Sequence, residues 1–232
     1  MPDNDSRGGQ GSLSADEVLA IIGPGPDRAA LPRHRHQLTA AQVEESQRWR
    51  LIAATAEVIA RQGYSQTSVD QISAQAGVSK KSFYKFFADK EAAFIAAYDA
   101  IGLVIATMTA DLPGNPADLD ALMGPVIGAY LGTLQAAPAF TTMFLLRAQG
   151  ATPGIADRRI AGVARYAEAI SQILCRGRDQ GIPIADVSPA EVVALLGGIN
   201  ELCIQQVQRH GVARLDEIAD TVLSFTRRVL TP

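Results

Sequence analysis

Apolar residues recur at intervals of three and four along most of this 232-residue chain, which is the spacing of one face of an α-helix. In the segment from Thr39 to Gln62 they form one stripe: Leu51, Ala54, Val58 and Ile59. No segment shows the sustained alternation of apolar and polar residues that indicates a strand. The pattern therefore predicts an all-α protein.

Helix start and stop signals are frequent between residues 39 and 90. In chain order they are a capping box at Thr39 and Gln42, a stop at Gly63, an N-cap at Thr67 or Ser68, a C-cap at Gly77, and N-caps at Ser79 and Asp89. They predict a long helix up to Gln62, short helices at 68–76 and 80–87, and a fourth helix from about 90 to 110.

Residues that mark the start or end of a helix are sparser towards the C-terminus, where Pro and Gly separate further apolar segments. We expect helices at 117–135, 138–149, 155–180, 189–210 and 213–230. Residues 1–38 are rich in Gly, Pro, Ser and charge, and we expect them to be mostly disordered. Within them, "PRHRH" is open to three interpretations: a solvated linker, a basic arm for a nucleic-acid groove, or a weak zinc-binding histidine pair.

Charge is distributed unevenly along the chain. The net charge is −3, yet residues 48–91 carry seven Lys/Arg and four Asp/Glu, which leaves −6 for the rest. All four lysines of the chain lie in "AGVSKKSFYKFFADKE". A basic module on an acidic body predicts one surface that binds a polyanion.

Composition narrows the other possibilities. No apolar run is long enough to cross a bilayer and no secretory signal is apparent, so we expect a cytoplasmic protein that does not bind membranes. Cys175 and Cys203 form no metal or disulfide pattern, and we interpret them as buried thiols. We expect no cofactor and no metal.

The basic segment has the pattern of a helix-turn-helix, with Gly77 at the turn and a second helix that has two different sides. One side is aromatic: Phe83, Phe86 and Phe87. The opposite side is cationic: Lys81, Tyr84 and Lys85. A lysine-rich face that is simply solvated is the alternative, but a helix with this division fits the major groove of duplex DNA.

The stretch "RLIAATAEVIARQGYSQTSVDQISAQAGVSKKSFYKFFADKEAAF" resembles the DNA-binding domain of TetR-type transcriptional regulators. The resemblance implies a three-helix DNA-binding domain at 39–92 and a helical domain for effector binding and dimerisation at 93–232. It implies a homodimer on a palindromic double-stranded operator, usually a repressor released by a small-molecule effector that the sequence does not identify.

The resemblance also assigns DNA-contacting positions. They are Thr67, Ser68, Ser79, Lys80, Lys81, Ser82, Tyr84, Lys85 and Lys90. Of these, Tyr84 and Lys90 match the usual phosphate contacts. The sequence departs from the family at Phe86, where many relatives have Tyr or His, and neighbouring Lys85 is the candidate to replace that backbone contact.

Two further sets of residues are candidates in the C-terminal part. Apolar residues at alternating spacings of three and four in the last two helices predict a four-helix dimer interface, for which an ordinary core stripe is the alternative: Val193, Leu196, Leu215, Ile218, Val222, Phe225 and Val229. Flexible and aromatic residues in the middle helices are candidates for an apolar pocket, or else plain core: Met108, Met123, Tyr130, Phe140, Met143 and Phe144.

Two other classes of function compete with a DNA-binding regulator. A helical enzyme needs converging acid, base, nucleophile or metal groups, and the segments expected to fold contain one histidine, His210, and no cluster at ligand spacing. We therefore expect no enzymatic activity. The other alternative is a ligand-binding or scaffold protein of the same fold without specific DNA binding.

Overall fold

The computed structural model of the chain describes residues 39–110 and 115–232, and within these ranges it is helical without strands. Three helices form the N-terminal unit: α1 (Ala40–Gln62), α2 (Val69–Ala76) and α3 (Lys80–Phe86). The helical body consists of α4 (Lys90–Ala110), α5 (Leu119–Ala136), α6 (Pro138–Thr142), α7 (Pro153–Asp179), α8 (Pro189–His210) and α9 (Ala219–Leu230). The predicted fold class is confirmed.

The N-terminal helices begin where their caps predict. Thr39 and Ser68 each form a complete capping box, with Gln42 and Gln71 respectively. The Ser79 hydroxyl accepts a hydrogen bond from the backbone N–H of Ser82 at 3.0 Å and so starts α3. These side chains satisfy amide groups that the first turn of a helix otherwise leaves unpaired.

Gly77 allows the sharp turn between α2 and α3. Its φ of 64° and ψ of 37° lie in the left-handed region, which a residue without a Cβ adopts at little cost. Its backbone N–H donates to the carbonyls of Ser73 and Ala74, which closes the end of α2.

A small apolar core holds α1, α2 and α3 together and continues into α4. Six of its side chains are at most 1 % exposed: Leu51, Ile52, Ile59, Ile72, Phe83 and Phe94. The predicted inward side of α3 is confirmed for Phe83 and Phe87, but Phe86 is only half-buried. The helix ends at Phe86 and Phe87 has extended backbone angles, so the Phe87 ring enters the core from just beyond the end of the helix.

Helix boundaries in the body differ from the prediction in two places. Where one helix was expected at 138–149, α6 ends at Thr142 and a π-helical segment follows from Met143 to Arg147. The helix expected at 213–230 begins instead as a 3₁₀ segment, Val212–Ile218. In that segment the side-chain amide of Gln135 donates to the carbonyl of Ala213. The side-chain amide of Gln206 likewise donates to the carbonyl of Arg214. These two side chains therefore occupy carbonyls that an α-helix would use for its own hydrogen bonds.

The residues predicted for a dimer interface divide into two groups. Leu215 and Val222 are fully buried within the single chain, so they are core residues and offer no surface to a partner. The others keep accessible surface: Val193, Leu196, Ile218, Phe225 and Val229. Val193 is 41 % exposed, which is unusual for a large apolar side chain.

Candidate nucleic-acid interface

The outward side of α3 carries the cationic and phenolic groups that the sequence predicted for it. Lys81 and Lys85 are exposed, Ser82 is half-buried, and the Tyr84 side chain is 52 % exposed although its ring packs edge-on against the buried Phe83. One face of the helix is therefore packed on the core and the opposite face is exposed, which is the arrangement needed for a helix to enter a DNA groove.

Two lysines of this surface form ion pairs with carboxylates from other helices. Lys80 Nζ lies 2.9 and 3.1 Å from the two carboxylate oxygens of Asp70 in the first turn of α2. Lys85 Nζ lies 2.5 Å from Oε1 of Glu44 on α1. The hydrogen bond to Asp70 raises the pKa of Lys80 above its ordinary value. In the described part of the chain, Lys81 has no such partner.

Lys90 has a structural role in addition to the predicted phosphate contact. Its ammonium donates to the carbonyls of Tyr64 at 3.0 Å and Thr67 at 2.9 Å, and lies 4.4 Å from the centre of the Tyr64 ring. An ammonium group has three donors, so one remains for a phosphate. Lys90 thus fixes the loop between α1 and α2.

Thr67 does not fit the role predicted for it. Its side chain is 3 % exposed and its hydroxyl donates to the carbonyl of Gly63 at 2.7 Å, so it closes the loop after α1 and has no group left for a phosphate. The neighbouring Ser68 is exposed and caps α2. Of the two residues, Ser68 alone stays a candidate for DNA contact.

The start of α4 joins the DNA-binding unit to the helical body. Next to Lys90, the Glu91 carboxylate accepts a 2.7 Å hydrogen bond from the hydroxyl of Thr152, which is also the N-cap of α7. A Cβ at Gly154 would lie 2.3 Å from Glu91 Oε1, so any larger residue here would displace the Glu91 carboxylate from its present position. One turn and a half further on, Arg158 forms a two-point ion pair with Asp99 at 2.6 Å.

Three of the six predicted pocket residues are buried. Met123, Phe140 and Met143 are at most 3 % exposed. Tyr130 and Phe144 are half-buried, and the Phe144 ring stacks on Tyr98 at 4.7 Å. The side chain of Met108 lies outside the described residues, as does the "PRHRH" segment.

Sequence reasoning missed a polar cluster in the body. The Tyr130 ring lies 6.2 Å from that of Tyr166. Its phenol lowers the pKa of the Cys203 thiol by less than burial raises it. Burial raises the pKa of the Cys203 thiol to about 12 and that of the Tyr98 phenol to about 12. Both groups are therefore protonated and uncharged at neutral pH. These residues come from four different helices, so no local sequence pattern marks them.

In ranges 39–110 and 115–232, no three His, Cys, Asp or Glu side chains come together in a way that suits a metal ion. None of the helices described combines the length and apolar character required to span a bilayer.

Comparison with known families identifies the N-terminal unit. Residues 51–97 match the profile of the family described as "Bacterial regulatory proteins, tetR family". The matched segment contains most of α1, all of α2 and α3, and the start of α4, so it includes the whole exposed cationic surface. A search of curated protein sequences gives no significant match.

Solved structures resemble this chain in fold over three quarters of its length or more. The fatty acid degradation regulator FadR from Bacillus halodurans superposes with a TM-score of 0.63 at 17 % identity, covering 76 % of this chain and 94 % of that one. FadR from Bacillus subtilis, solved in complex with stearoyl-CoA, has a TM-score of 0.62 at 20 % identity, with 75 % and 95 % covered. A TetR-like regulator from Rhodococcus sp. RHA1 has a TM-score of 0.61 at 22 % identity, with 83 % and 97 % covered.

Fold and surface together define a helix-turn-helix unit with an exposed cationic helix, joined to a helical body. The resemblance found in the sequence is confirmed: residues 51–97 match the tetR family profile, and the chain has the fold of TetR-family transcriptional regulators.

Proposed function

We propose that this protein is a homodimeric repressor that binds a palindromic operator and leaves it when a small molecule binds the helical body. The observation that carries the proposal is the front of α3, where Lys81, Tyr84 and Lys85 are exposed while Phe83 behind them is fully buried. Contacts between lysine and phosphate supply sequence-independent affinity, and groups at the start of α3 read base edges. Such a regulator of chromosomal genes works in the cytoplasm.

DNA footprinting tests the operator. The DNA to use is the region upstream of the gene that encodes this chain. We expect protection of two inverted half-sites separated by about one helical turn, roughly 34–36 Å, or a multiple of it. Binding that does not distinguish this fragment from scrambled DNA contradicts the proposal and favours a ligand-binding protein of the same fold, an alternative supported by the pairing of Lys80 and Lys85 with carboxylates.

The accessible apolar surface of α8 and α9 supports dimerisation. The Phe225 ring lies against Gly198, where a Cβ would be 3.0 Å from the ring, so the two helices cross closely. Val193 and Leu196 extend the same surface with accessible side chains. In a symmetric dimer each α8–α9 pair packs on its copy as a four-helix bundle.

Sedimentation at micromolar concentration tests the dimer. Val193→Glu places a charge on the proposed interface, and we expect it to yield monomers. Leu103→Glu is the matched control, because Leu103 is 54 % exposed but lies on α4, outside that surface. A monomeric wild-type protein, or equal behaviour of the two variants, contradicts this interface.

The effector is proposed to be a mainly apolar small molecule bound between α4, α5 and α7. Support comes from the stacked Tyr98 and Phe144 in this region and from the Bacillus subtilis FadR structure, which holds stearoyl-CoA. The Glu91–Thr152 hydrogen bond offers a direct connection from α7 to the first turn of α4. Thermal-shift measurements with stearoyl-CoA and with free CoA test whether the effector is mainly apolar. Stabilisation by stearoyl-CoA alone, together with release of DNA, supports an apolar effector.

A further inference from the structure

The acidic partners of the two paired lysines have no part in DNA recognition as described so far. Glu44 and Lys85 are 41 positions apart in sequence but only 2.5 Å apart at their charged atoms. Asp70 and Lys80 form the second pair. All four side chains are about half exposed or more, so both pairs lie in solvent on the surface that includes α3.

Neither pair contributes much to the stability of the fold. Exposed ion pairs are weak, because water and salt screen them and because two long side chains must be held in one geometry. The effect of these ion pairs on the affinity for a polyanion is larger than their effect on the stability of the fold. Each carboxylate occupies a lysine that would otherwise be free for a phosphate, and it adds a negative charge next to that lysine.

We propose that Glu44 and Asp70 limit the affinity of this helix-turn-helix for DNA of any sequence, by competing with phosphate for Lys85 and Lys80. The inference rests on the proposed DNA-binding function and adds a restraint on it. A lysine that binds phosphate must first leave its carboxylate, which offsets part of the gain from counterion release. Because phosphate contacts carry no sequence information, this restraint acts on every duplex alike.

The charge of the whole unit agrees with such a restraint. Residues 39–92 contain seven Lys/Arg and six Asp/Glu, a net charge of only +1. The acidic residues of the unit therefore largely cancel the positive electrostatic potential of its lysines. Lys81, which has no ion pair among the residues described, remains as the cation of α3 that meets DNA without first breaking a contact.

Binding of the full-length protein to a short random-sequence duplex tests the proposal without knowledge of the operator. The affinity of wild type, Glu44→Gln and Asp70→Asn is measured by fluorescence anisotropy at several salt concentrations between about 50 and 200 mM. Glu45→Gln is the matched control, because it makes the same charge change one residue along α1 and Glu45 has no ion pair in the described structure.

We expect Glu44→Gln and Asp70→Asn each to tighten binding by about three- to ten-fold at the low-salt end. The slope of log K against log salt should become steeper by about one unit for each freed lysine. Glu45→Gln should shift affinity much less and leave the slope unchanged. Melting temperatures of the Glu44 and Glu45 variants should agree closely with each other.

A double-mutant cycle tests whether Lys85 transmits the effect. In a Lys85→Gln background the Glu44→Gln substitution should no longer tighten binding, because no lysine is left to release. Equal effects of Glu44→Gln and Glu45→Gln, or a Glu44→Gln effect that persists without Lys85, overturns the restraint while leaving DNA binding intact. If neither wild type nor the charge-removed variants bind the duplex at low salt, the proposed function fails as well.

Discussion

All three helices of the N-terminal unit begin at side-chain caps, whereas only some of the helices in the body do. In the unit, Thr39, Ser68 and Ser79 each accept a backbone hydrogen bond that starts a helix. In the body, α6, the 3₁₀ segment and α9 begin without any side-chain cap. Local chemistry thus sets the helix ends of the unit, whereas packing between distant residues sets several of those in the body.

The two regions also use polar groups differently. The unit keeps its ion pairs in solvent around α3, where they affect binding more than stability. The body buries Tyr98 and Cys203, whose pKa values rise because burial disfavours their charged forms. The difference suggests that the unit is organised for an external charged partner and the body for an uncharged interior. The following experiments test this contrast, beginning with the largest expected effect.

Truncation of a buried phenylalanine should have different consequences in the two regions. Phe83→Ala removes a fully buried ring from the small core of the unit and should cost about 3–5 kcal/mol of unfolding free energy and abolish DNA binding. Phe140→Ala should cost a similar amount but leave duplex affinity of the folded protein largely intact, since Phe140 lies in the body. Urea unfolding and anisotropy titrations measure both effects. Retained DNA binding in Phe83→Ala contradicts the role assigned to the core behind α3.

Two lysines of the unit should differ in their effect on stability. Lys90→Ala should lower the unfolding free energy by about 1–3 kcal/mol, because the carbonyls of Tyr64 and Thr67 lose their donor. Lys81→Ala should leave stability unchanged, since its side chain is exposed. Urea unfolding of the two variants distinguishes them, and equal stabilities count against the structural role of Lys90.

Removal of the Thr152 hydroxyl should weaken the junction between the two regions. Thr152→Val removes both the N-cap of α7 and the hydrogen bond to Glu91, and should cost about 1 kcal/mol. Thr152→Ser keeps the hydroxyl and should be close to wild type. A thermal melt compares them. A valine variant as stable as wild type would contradict the role of this hydroxyl.

The smallest expected effect is a difference in reactivity towards iodoacetamide between the two cysteines. The interpretation of both cysteines as buried thiols is wrong for Cys175, which is exposed, and right for Cys203. Because the Cys203 thiol is buried with a pKa of about 12, iodoacetamide at pH 8 should modify Cys175 alone. Mass spectrometry should find one adduct on the native protein and two in urea. Since the native state holds the Cys203 proton more tightly than the unfolded state, stability should also fall as pH rises from about 9 towards 12. Two adducts on the native protein contradict this burial.

Features encoded by neighbouring residues were predictable from the sequence. The boundaries of α1, α2 and α3 follow from cap residues and from Gly77, all of which act within four positions along the chain. The exposed side of α3 follows from helical periodicity. The end of α3 was displaced by one residue because the backbone becomes extended at Phe87, a change that no cap residue announces.

Features formed between distant residues were not predictable. The sequence window from residue 48 to 91 has a net charge of +3 but omits Glu44, which meets Lys85 only after folding. Lys90 was assigned to phosphate, yet its carbonyl partners lie 23 and 26 positions earlier. The division of the predicted dimer residues into buried and accessible groups likewise depends on how α8 and α9 pack, which periodicity does not specify.

The central claim is that the exposed cationic side of α3 is the surface that meets DNA. Its most direct test compares the salt dependence of random-duplex binding for Lys81→Gln and Arg165→Gln, which each remove one exposed cation, the first from α3 and the second from α7 in the body. The account predicts that Lys81→Gln weakens binding and reduces the slope of log K against log salt by about one unit, whereas Arg165→Gln changes neither. Equal changes in the two variants, or binding of the wild type that does not depend on salt, would contradict it.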